Sequence, residues 1–418
     1  MLDSVGAPMM SYRQASRRIL RHAQSLDVEW VAPAASLGRT VAAPLPSPTC
    51  HPRFASSAMD GFALATHGKE IPPGTLLRVV GRARCGDEPS VAGEEGTWEI
   101  NTGAPLPRGL DAVVPWEEVE IVEGGGGLAT RIRLTVSARP ERHVRREGDD
   151  FRAGAPILAA GDRVGPAQLM AITALGVERV AVVRVPRASV ICTGSELARS
   201  SAEAALPGRI RNSSLPYLEG ALASLGVEIV SSGTVADDPR CFTELLKHAI
   251  DEQADFVVST GAVSKGSTDF VPEALHSFGA RTLLHGVSVR PGKPLFVAQL
   301  PGGGIFFGLP GNPAATAVAF RFFVHPYIRA VLGRRAETPM WLPLVGEERK
   351  RAGLRYIQRA RVESDSGLGV HVRVLPGQEA FRISSLLKAN AWAALPEEAE
   401  HISSGTRVEV YGLQECDL

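Results

Sequence analysis

The 418-residue sequence predicts a multidomain α/β and β protein: a central α/β domain with a mainly parallel sheet, preceded by a β-rich domain and followed by a C-terminal β domain. Length is the first reason, because about 150 residues per domain gives roughly two to three domains or more. The second is the alternation of apolar strands with helices between residues 188 and 331, which is typical of a parallel sheet covered on both faces. The third is the presence of short β-rich runs, punctuated by Gly and Pro, on either side.

The N-terminal third combines helices with short strands. Residues 11–26 place apolar side chains at helical spacing, and a second helix begins near Gly165-Pro166. Between them the pattern predicts strands at Leu76–Val80, Thr97–Ile100, Asp111–Trp116, Val119–Val122 and Arg131–Val136, with a hairpin loop at Gly124–Gly127. Residues 51–139 are therefore either inserted into a helical element or appended to it.

The remaining elements complete the predicted order. The α/β region has strands at Ser189–Thr193, Glu228–Ser231, Asp255–Thr260 and Ile305–Leu309, and helices at Leu215–Leu225, Pro239–Asp251, Val271–Phe278 and Pro313–Leu332. Strands at Leu354–Val362, Gly369–Leu375 and Thr406–Tyr411 form the C-terminal β domain. We therefore expect an elongated helical and linker domain at 1–50 plus 140–185, the β-rich domain at 51–139, the α/β domain at 186–332 and the C-terminal domain at 333–418.

Composition excludes several classes of function. The 45 Lys and Arg residues balance the 45 Asp and Glu residues, so there is no net charge to attract nucleic acid or an anionic membrane surface. No uninterrupted apolar stretch approaches the roughly 18 residues that a membrane span needs. The five cysteines lie far apart without C-x-x-C, which disfavours a disulfide framework or a thiolate zinc site. With no signal-peptide pattern at the N-terminus, we expect a cytoplasmic protein.

Three predicted strand ends carry glycine beside hydroxyl or acidic residues. They are Thr193-Gly194-Ser195-Glu196, Thr260-Gly261 continuing to Asp269, and Pro310-Gly311-Asn312. Glycine lets the backbone approach a ligand, and a following helix N-terminus offers free N–H groups, so such turns suit phosphates and other oxyanions. The second turn is not a P-loop, because Ser267 occupies the position of the required lysine.

Charged side chains near these turns suggest metal and oxyanion chemistry. Asp237-Asp238 and Asp269 precede predicted helices, while Arg290-Pro291-Gly292-Lys293-Pro294 places two cations on a rigid turn. Carboxylates together with a phosphate ligand would suit Mg²⁺. The alternative for the aspartates is helix N-capping, and for the two cations a solvated turn.

Two further segments lie in the β-rich region. Asp60 stands in Ser57-Ala58-Met59-Asp60-Gly61-Phe62-Ala63, and Thr102 begins the rigid loop Thr102-Gly103-Ala104-Pro105-Leu106-Pro107. Taken alone, either segment could be only a tight turn. The ten histidines show no metal-ligand spacing.

In this order, the segments resemble the molybdopterin molybdenumtransferase family, which includes the MoeA enzymes and the gephyrin E domain. The resemblance covers nearly the whole chain. Beyond the stretches above it includes Asp111-Ala112-Val113-Val114, Arg145-Arg146-Glu147-Gly148-Asp149-Asp150, Thr193 to Leu197, Asp237-Asp238, Ser264 to Asp269, Pro291-Gly292-Lys293-Pro294 and Leu309-Pro310-Gly311-Asn312-Pro313.

The resemblance implies a four-domain subunit of an elongated homodimer, with an α/β domain like that of the molybdopterin adenylyltransferases and a C-terminal β-barrel. It implies an enzyme that takes adenylylated molybdopterin and molybdate, places the metal on the dithiolene sulfurs and releases AMP with Mg²⁺ present. A molybdopterin adenylyltransferase or an acceptor molybdoenzyme is the implied protein partner. Neither nucleic acid nor a membrane is expected as a partner.

Roles follow from the resemblance position by position. The metal and pyrophosphate chemistry is assigned to Asp60, Glu196, Asp238 and Asp269, with Thr102 beside them. The nucleotide or pterin site is assigned to Gly194, Ser264, Gly266, Gly311 and Asn312. The oxyanion is assigned to Arg290 and Lys293, with Arg355, Arg359 or Arg382 from the C-terminal domain, and Pro294 is assigned to cofactor binding. A site at a dimer interface would explain how the segment containing Asp60 reaches the α/β domain.

The sequence also departs from the family pattern. Ser195 stands where Asp is usual, Ser214 where Asn is usual and Ala315 where Ser is usual, while Ala380-Phe381 replace two common serines. Losing hydroxyl donors around an oxyanion costs roughly 0.5–1.5 kcal/mol for each net hydrogen bond. The leading hypothesis is a molybdenum-inserting transferase, and the alternative is a non-catalytic relative that binds the pterin nucleotide or scaffolds a partner. A generic nucleotide hydrolase is disfavoured because the Walker motif is incomplete.

Overall fold

The computed structural model describes residues 9–93, 96–125, 128–264, 269–365, 367 and 369–413. The chain divides into two compact units. The first comprises Met1–Glu29, Gly38–Ala42 and Val183–Leu418, and the second comprises Trp30–Leu37 and Ala43–Val182. No helix among the described residues combines the length and the apolar composition needed to cross a membrane.

The second unit is built around a six-stranded sheet. In spatial order its strands are Ala112–Pro115, Gly61–Leu64, Thr97–Ile100, Leu76–Ala83, Leu128–Leu134 and Val119–Gly125. All neighbours are antiparallel except Leu76–Ala83 with Thr97–Ile100. The predicted strands of this region are confirmed, and the last two pair on either side of the predicted glycine hairpin, whose Gly126 and Gly127 lie outside the described residues.

Short elements complete the second unit. The predicted second helix is Pro166–Ala174, which starts with proline at its first position, where the missing N–H costs nothing. Two short antiparallel pairs join Leu45–Pro46 with Pro156–Leu158, and Ser56–Ser57 with Val144–Arg145. The 3₁₀ turns are Pro33–Ser36 and Trp116–Glu118. The strands Val28–Val31 and Val180–Val183 lie where the chain passes from one unit to the other.

The first unit contains the predicted α/β sheet. Its strands run in the order Glu228–Val235, Arg187–Thr193, Phe256–Thr260, Ile305–Leu309, Phe296–Gln299 and Arg281–His285. The first four are parallel to one another, and the last two are antiparallel additions at one edge. The mainly parallel sheet is therefore confirmed, although the sequence did not predict its last two strands.

Helices cover both faces of this sheet, because strand side chains alternate between two apolar cores. Val190, Cys192 and Phe307 face one core, and Ile191 and Phe306 face the other. The first core also receives the helices Tyr12–Leu20, Ser214–Ser224, Pro313–Ala319 and His325–Val331, with the π-helical turn Phe320–Val324 between the last two. The second receives Pro239–Asp251 and Val271–Ser277.

The C-terminal strands close into a barrel. They are Arg355–Asp365, Gly369–Val374, Met340–Val345, Arg407–Gly412 and Ala391–Leu395, and the last pairs back with the first. Val289–Arg290 adds to the start of Arg355–Asp365. The smaller elements of this unit are Ser384–Lys388, Glu348–Arg349 with His401–Ile402, Leu197–Ala198 with Ile210–Arg211, and Glu203–Ala205. The four cysteines among the described residues are free thiols.

Candidate active site

A pocket of about 180 Å³ lies at the carboxyl ends of three parallel strands, Arg187–Thr193, Phe256–Thr260 and Ile305–Leu309. The glycine that follows each strand lines it: Gly194, Gly261 and Gly311. The three glycine turns that the sequence placed at strand ends therefore meet at one pocket. This is the edge of an open α/β sheet at which ligands generally bind.

Glycine at one of these turns is required by close packing, and glycine at a second leaves room for a neighbouring side chain. Gly261 has φ +90°, and a Cβ there would lie 2.3 Å from the Thr193 carbonyl oxygen. A Cβ on Gly194 would lie 2.8 Å from a carboxylate oxygen of Glu196. The strand ends can approach this closely only because Gly261 has no side chain, and the missing Cβ of Gly194 leaves room for the Glu196 carboxylate.

Three carboxylates line the pocket, those of Glu196, Asp237 and Asp269. Asp237 is fixed by a reciprocal pair of hydrogen bonds: its Oδ2 accepts from the Ser195 N–H at 3.0 Å, and its own N–H donates to Ser195 Oγ at 3.1 Å. Ser195 is one of the departures from the family pattern. Its hydroxyl positions an acidic neighbour, so a small polar residue here preserves the arrangement of the turn.

Asp238 is placed differently from its neighbour. Its Oδ1 accepts from the Arg240 N–H at 2.8 Å, so it caps the helix Pro239–Asp251, and it does not line the pocket. The capping alternative is therefore observed for this residue. The signal for the distinction was the Asp-Pro pair, because proline favours the first helical position and leaves the preceding aspartate at the N-cap.

Asn212 lines the pocket, although the sequence did not single it out as a site residue. Its Oδ1 accepts from the N–H groups of Ser214 and Leu215, each at 3.1 Å, and so caps the helix Ser214–Ser224. Asn212, Ser213 and Ser214 all line the pocket, which brings the start of this helix to the site. Asparagine just before a predicted helix was the available signal.

The loop after Thr260 leads to the third carboxylate. The backbone oxygens of Val263 and Ser264 lie 3.2 and 3.3 Å from His285 Nε2, which holds this part of the loop. Ser264 does not line the pocket, whereas Asp269 does. Gly266 lies outside the described residues.

The predicted basic turn lies against the helix Pro313–Ala319: a Cβ on Gly292 would lie 3.8 Å from Val318 Cγ1. Arg290 donates to the Tyr356 hydroxyl at 3.2 Å and stacks over that ring at 5.4 Å. Lys293 is exposed, and Pro294 is half-buried. Arg290 is thus oriented by the start of the barrel, while Lys293 remains accessible to an anion.

The first turn of the helix Pro313–Ala319 connects the pocket to the barrel. Pro313 lines the pocket, and the next residue, Ala314, donates its N–H to the Ala380 carbonyl at 3.0 Å. Asn312, at the N-cap, is exposed, and Ala315 is buried. Two of the departures, Ala315 and Ala380, therefore contribute to packing and backbone bonding around this turn.

The three candidate arginines of the barrel differ in their partners. Arg355 is ion-paired with Glu409 and stacks over Tyr12, and the exposed Arg382 pairs with Glu379 at 2.9 Å beside Phe381. Arg359 is fully buried, with Nη2 donating to the Gly377 carbonyl at 3.0 Å. Its Nε and Nη1 have no partner among the described residues. Of the three, Arg359 therefore has the most buried nitrogen atoms without a hydrogen-bond acceptor.

Asp60 and Thr102 meet in the second unit. Asp60 Oδ1 accepts from the Thr102 N–H at 2.7 Å and from Asn101 Nδ2 at 3.3 Å. These two bonds, chiefly the one from Thr102, lower the pKa of the exposed Asp60 carboxyl below its usual value. The carboxylate is therefore held in its charged form at the turn before Gly61.

The donor chemistry of the pocket suits a hard cation, since its acidic and hydroxyl groups offer only oxygen. Within the described ranges, however, no three His, Cys, Asp or Glu side chains are close enough together to hold a metal ion by themselves. A Mg²⁺ ion there would need further oxygens from a bound phosphate, which is its common mode of binding.

A mainly parallel sheet with a glycine-rich, acid-lined pocket at its strand ends places this chain among the α/β proteins whose ligand site lies at the carboxyl edge of an open sheet. Residues 10–176 match the MoeA N-terminal region (domain I and II), 189–330 a probable molybdopterin binding domain, and 343–413 the MoeA C-terminal region (domain IV). The chain belongs to the molybdopterin molybdenumtransferase (MoeA) family.

Relatives extend over the whole length of the chain. A molybdopterin molybdenumtransferase of Synechococcus elongatus is 35% identical over 97% of this chain and 100% of its own. Molybdopterin molybdenumtransferase 2 of Mycobacterium tuberculosis is 32% identical over 90% of this chain and 92% of its own. A solved molybdopterin biosynthesis MoeA protein from Pyrococcus horikoshii superposes with a TM-score of 0.78 at 27% identity, covering 98% of this chain and 100% of that one.

Proposed function

We propose that this protein acts in molybdenum cofactor biosynthesis, transferring molybdenum from molybdate to adenylylated molybdopterin with release of AMP. The observation that carries the proposal is the pocket at the three strand ends, where Glu196, Asp237 and Asp269 lie beside the starts of two helices. Family membership supplies the substrate class, since the curated relatives are named molybdopterin molybdenumtransferases.

The pyrophosphate of the substrate is proposed to lie in this pocket. Gly194, Gly261 and Gly311 leave the backbone open to close approach, and the starts of the helices Ser214–Ser224 and Pro313–Ala319 favour negative charge. Glu196, Asp237 and Asp269 would hold Mg²⁺ together with phosphate oxygens. When bound, the ion would neutralise charge on the pyrophosphate. Asp238, a predicted ligand, is proposed to act instead by fixing the helix start beside Asp237.

The molybdate oxyanion is proposed to lie on the basic side of the helix Pro313–Ala319. Lys293 and Arg382 are exposed cations that follow, in the chain, the two segments in contact with this helix at Gly292 and Ala380. Arg290 is held by Tyr356. Arg359 adds buried N–H groups that lack acceptors. Guanidinium groups bind tetrahedral oxyanions through paired N–H donors, so Arg359 is the arginine that we assign to molybdate.

The remaining assignments rest on family resemblance. We propose that Asp60, ionised beside Thr102, takes part in the same chemistry, and that Ser264, Gly266 and Asn312 contribute to binding the pterin nucleotide. We further propose a cytoplasmic homodimer with the four domains 1–50 plus 140–185, 51–139, 186–332 and 333–418. Its protein partners would be a molybdopterin adenylyltransferase or an acceptor molybdoenzyme.

The experiment incubates the purified protein with adenylylated molybdopterin, Mg²⁺ and molybdate, and follows AMP release and metallated cofactor. The wild-type protein is expected to form both products, with AMP release depending on molybdate. Asp269→Asn is expected to lower the rate at least tenfold, because it removes charge from the pocket. Asp251→Asn, at an exposed helix end, is the matched control and is expected to retain full activity.

One outcome contradicts the proposed activity, and another contradicts only the proposed role of Asp269. Tight binding of adenylylated molybdopterin without AMP or metallated product would identify a binding relative instead of a transferase. Equal activity of Asp269→Asn and the control would leave the transferase standing but remove Asp269 from the site.

A further inference from the structure

A second cavity, of about 410 Å³, lies in the first unit between the helix Ser214–Ser224, the π-helical turn Phe320–Val324 and the barrel. It shares no lining residue with the pocket at the strand ends. π-helical turns are rare and occur frequently at functional sites. The proposed molybdenum chemistry makes no use of this cavity, although its volume is in the range of pockets that bind small molecules.

Most of the cavity wall is apolar. Tyr217 and Ala221 come from the helix, Phe320 from the π-helical turn, and Leu386 and Leu413 from the C-terminal region. The rings of Tyr217 and Phe320 meet edge to face, with centroids 6.2 Å apart. A wall of this kind favours an apolar body of modest size, because such a body removes aliphatic and aromatic surface from water.

Three polar side chains in the wall have more N–H groups than hydrogen-bond acceptors. Arg321 donates to the Gly412 carbonyl at 3.1 Å, to His325 Nδ1 at 3.1 Å and to Glu337 at 2.6 Å, which uses three of its five N–H groups. Because His325 Nδ1 accepts, the neutral ring has its hydrogen on Nε2. That Nε2 and the Trp392 indole nitrogen are buried, and neither has a partner among the described residues.

The charges around this wall are mainly positive. None of the described residues that line the cavity is acidic, and Glu337, which pairs with Arg321, is not among them. Burial, followed by the charges of Arg321, Arg329 and Arg334, lowers the pKa of His325 to about 3. The part of this shift that comes from the three arginines, as distinct from burial, indicates a positive potential that would stabilise a negative charge near the ring.

We propose that this cavity binds a small monocarboxylate with an apolar aliphatic or aromatic body, whose carboxylate accepts hydrogen bonds from Arg321, His325 and Trp392. The apolar body lies between the helix Ser214–Ser224 and Phe320. A carboxylate supplies the acceptors that the wall lacks, and it is the anion for which guanidinium and ring N–H donors are best suited. The proposal is independent of the molybdenum chemistry, because the two pockets have no residue in common.

The test measures binding of three probes to the full-length protein by isothermal titration calorimetry. Octanoate is expected to bind with negative heat-capacity change, the marker of apolar burial. Octan-1-ol, with the same chain but no charge, is expected to bind at least tenfold more weakly. Acetate, with the charge but no apolar body, is expected to show no binding.

Three variants locate the site. Ala221→Phe fills the cavity and is expected to abolish octanoate binding, whereas Ala223→Phe, exposed on the same helix and outside the cavity wall, leaves it unchanged. Trp392→Phe keeps a ring but removes the N–H, and is expected to weaken octanoate about tenfold without changing the affinity for octan-1-ol. Thermal unfolding verifies that each variant is folded.

Other outcomes overturn the proposal. Octanoate and octan-1-ol binding with equal affinity would show an apolar groove without recognition of an acid. Octanoate binding that survives Ala221→Phe would place the ligand elsewhere on the protein, and no binding of any probe would leave the cavity without this function.

Discussion

Arg359 is a buried arginine whose hydrogen-bonding groups are only partly satisfied. A buried guanidinium is stabilised when its N–H groups are bonded and its charge is compensated, and Arg359 has Nε and Nη1 without a partner among the described residues. Burial also lowers its pKa, an effect that the charge of Glu379 opposes. The proposed molybdate ligand would supply both the acceptors and the compensating charge.

Arg359→Lys is the variant that tests this role. Lysine keeps the charge but loses the planar pair of donors, so we expect the KM for molybdate to rise about tenfold with little change in the KM for adenylylated molybdopterin. Arg361→Lys is the control, because Arg361 lies on the same strand and is exposed. Parallel rises in both KM values would indicate a general loss of structure and contradict the assignment.

His325 makes stability depend on pH. Its pKa is about 3 in the folded protein and about 6.5 in an unfolded chain, so between these values the unfolded state binds a proton that the folded state does not. The free energy of unfolding therefore falls as the pH is lowered through this range, by up to ~1.4 kcal/mol per pH unit from this group.

The measurement is urea unfolding at pH 6.5, 5.5 and 4.5. His325→Gln is expected to be less stable than the wild type at pH 6.5 and to lose less stability as the pH falls. The exposed His276→Gln serves as control and should follow the wild-type slope. If His325→Gln also kept that slope, another group would be responsible for the acid sensitivity.

The turns of the α/β sheet show what a single added Cβ atom would cost at a close approach of two strand ends. Gly261→Ala would place a Cβ 2.3 Å from the Thr193 carbonyl, at φ +90°. Gly226, at φ +76°, has nothing within 4 Å of the corresponding position. The two substitutions share the strain of a positive φ, roughly 1–2 kcal/mol, and differ only in the clash.

We therefore expect Gly261→Ala to be at least ~2 kcal/mol less stable than Gly226→Ala, and to bind adenylylated molybdopterin poorly because the strand ends must separate. Chemical denaturation compares the two variants, and calorimetry measures substrate binding. Equal stabilities would show that the turn relaxes without cost.

Elements with strong periodicity were predictable from sequence, and those defined by their neighbours were not. The helix Pro239–Asp251 agrees with its predicted bounds because proline, an N-cap aspartate and a 3.6-residue apolar period all coincide. Met340–Val345 contains Pro343, which argues against a strand, and Ala391–Leu395 is rich in alanine. Both are strands because the barrel supplies their hydrogen-bond partners.

The same limit applies to the site. Gly194, Gly261 and Gly311 could be brought together from sequence because parallel strands end at one edge of a sheet. The choice between Asp237 and Asp238 depended on which of two adjacent carboxylates caps a helix. The unbonded state of Arg359 depends on tertiary packing, which no local pattern reports.

The balance of 45 basic and 45 acidic residues leaves the whole molecule without a net field that opposes self-association. We expect sedimentation at micromolar concentration to give the mass of two chains, as the family resemblance implies. The proportion of dimer should change little between 50 and 500 mM NaCl, because no large like-charge repulsion needs screening. A monomer under all these conditions would contradict the homodimer.

Ring closure of the barrel also determines where this protein is exposed to strand-mediated contacts. Each of its five strands already has a neighbour on both sides within the described residues, so the barrel presents no template for a foreign strand. The α/β sheet is open and ends at Glu228–Val235 and Arg281–His285. Edge-to-edge aggregation, or a peptide that binds by adding a strand, would therefore begin at the margin of an open sheet and not at the barrel. These margins are the two of the α/β sheet and, in the second unit, Ala112–Pro115 and Val119–Gly125.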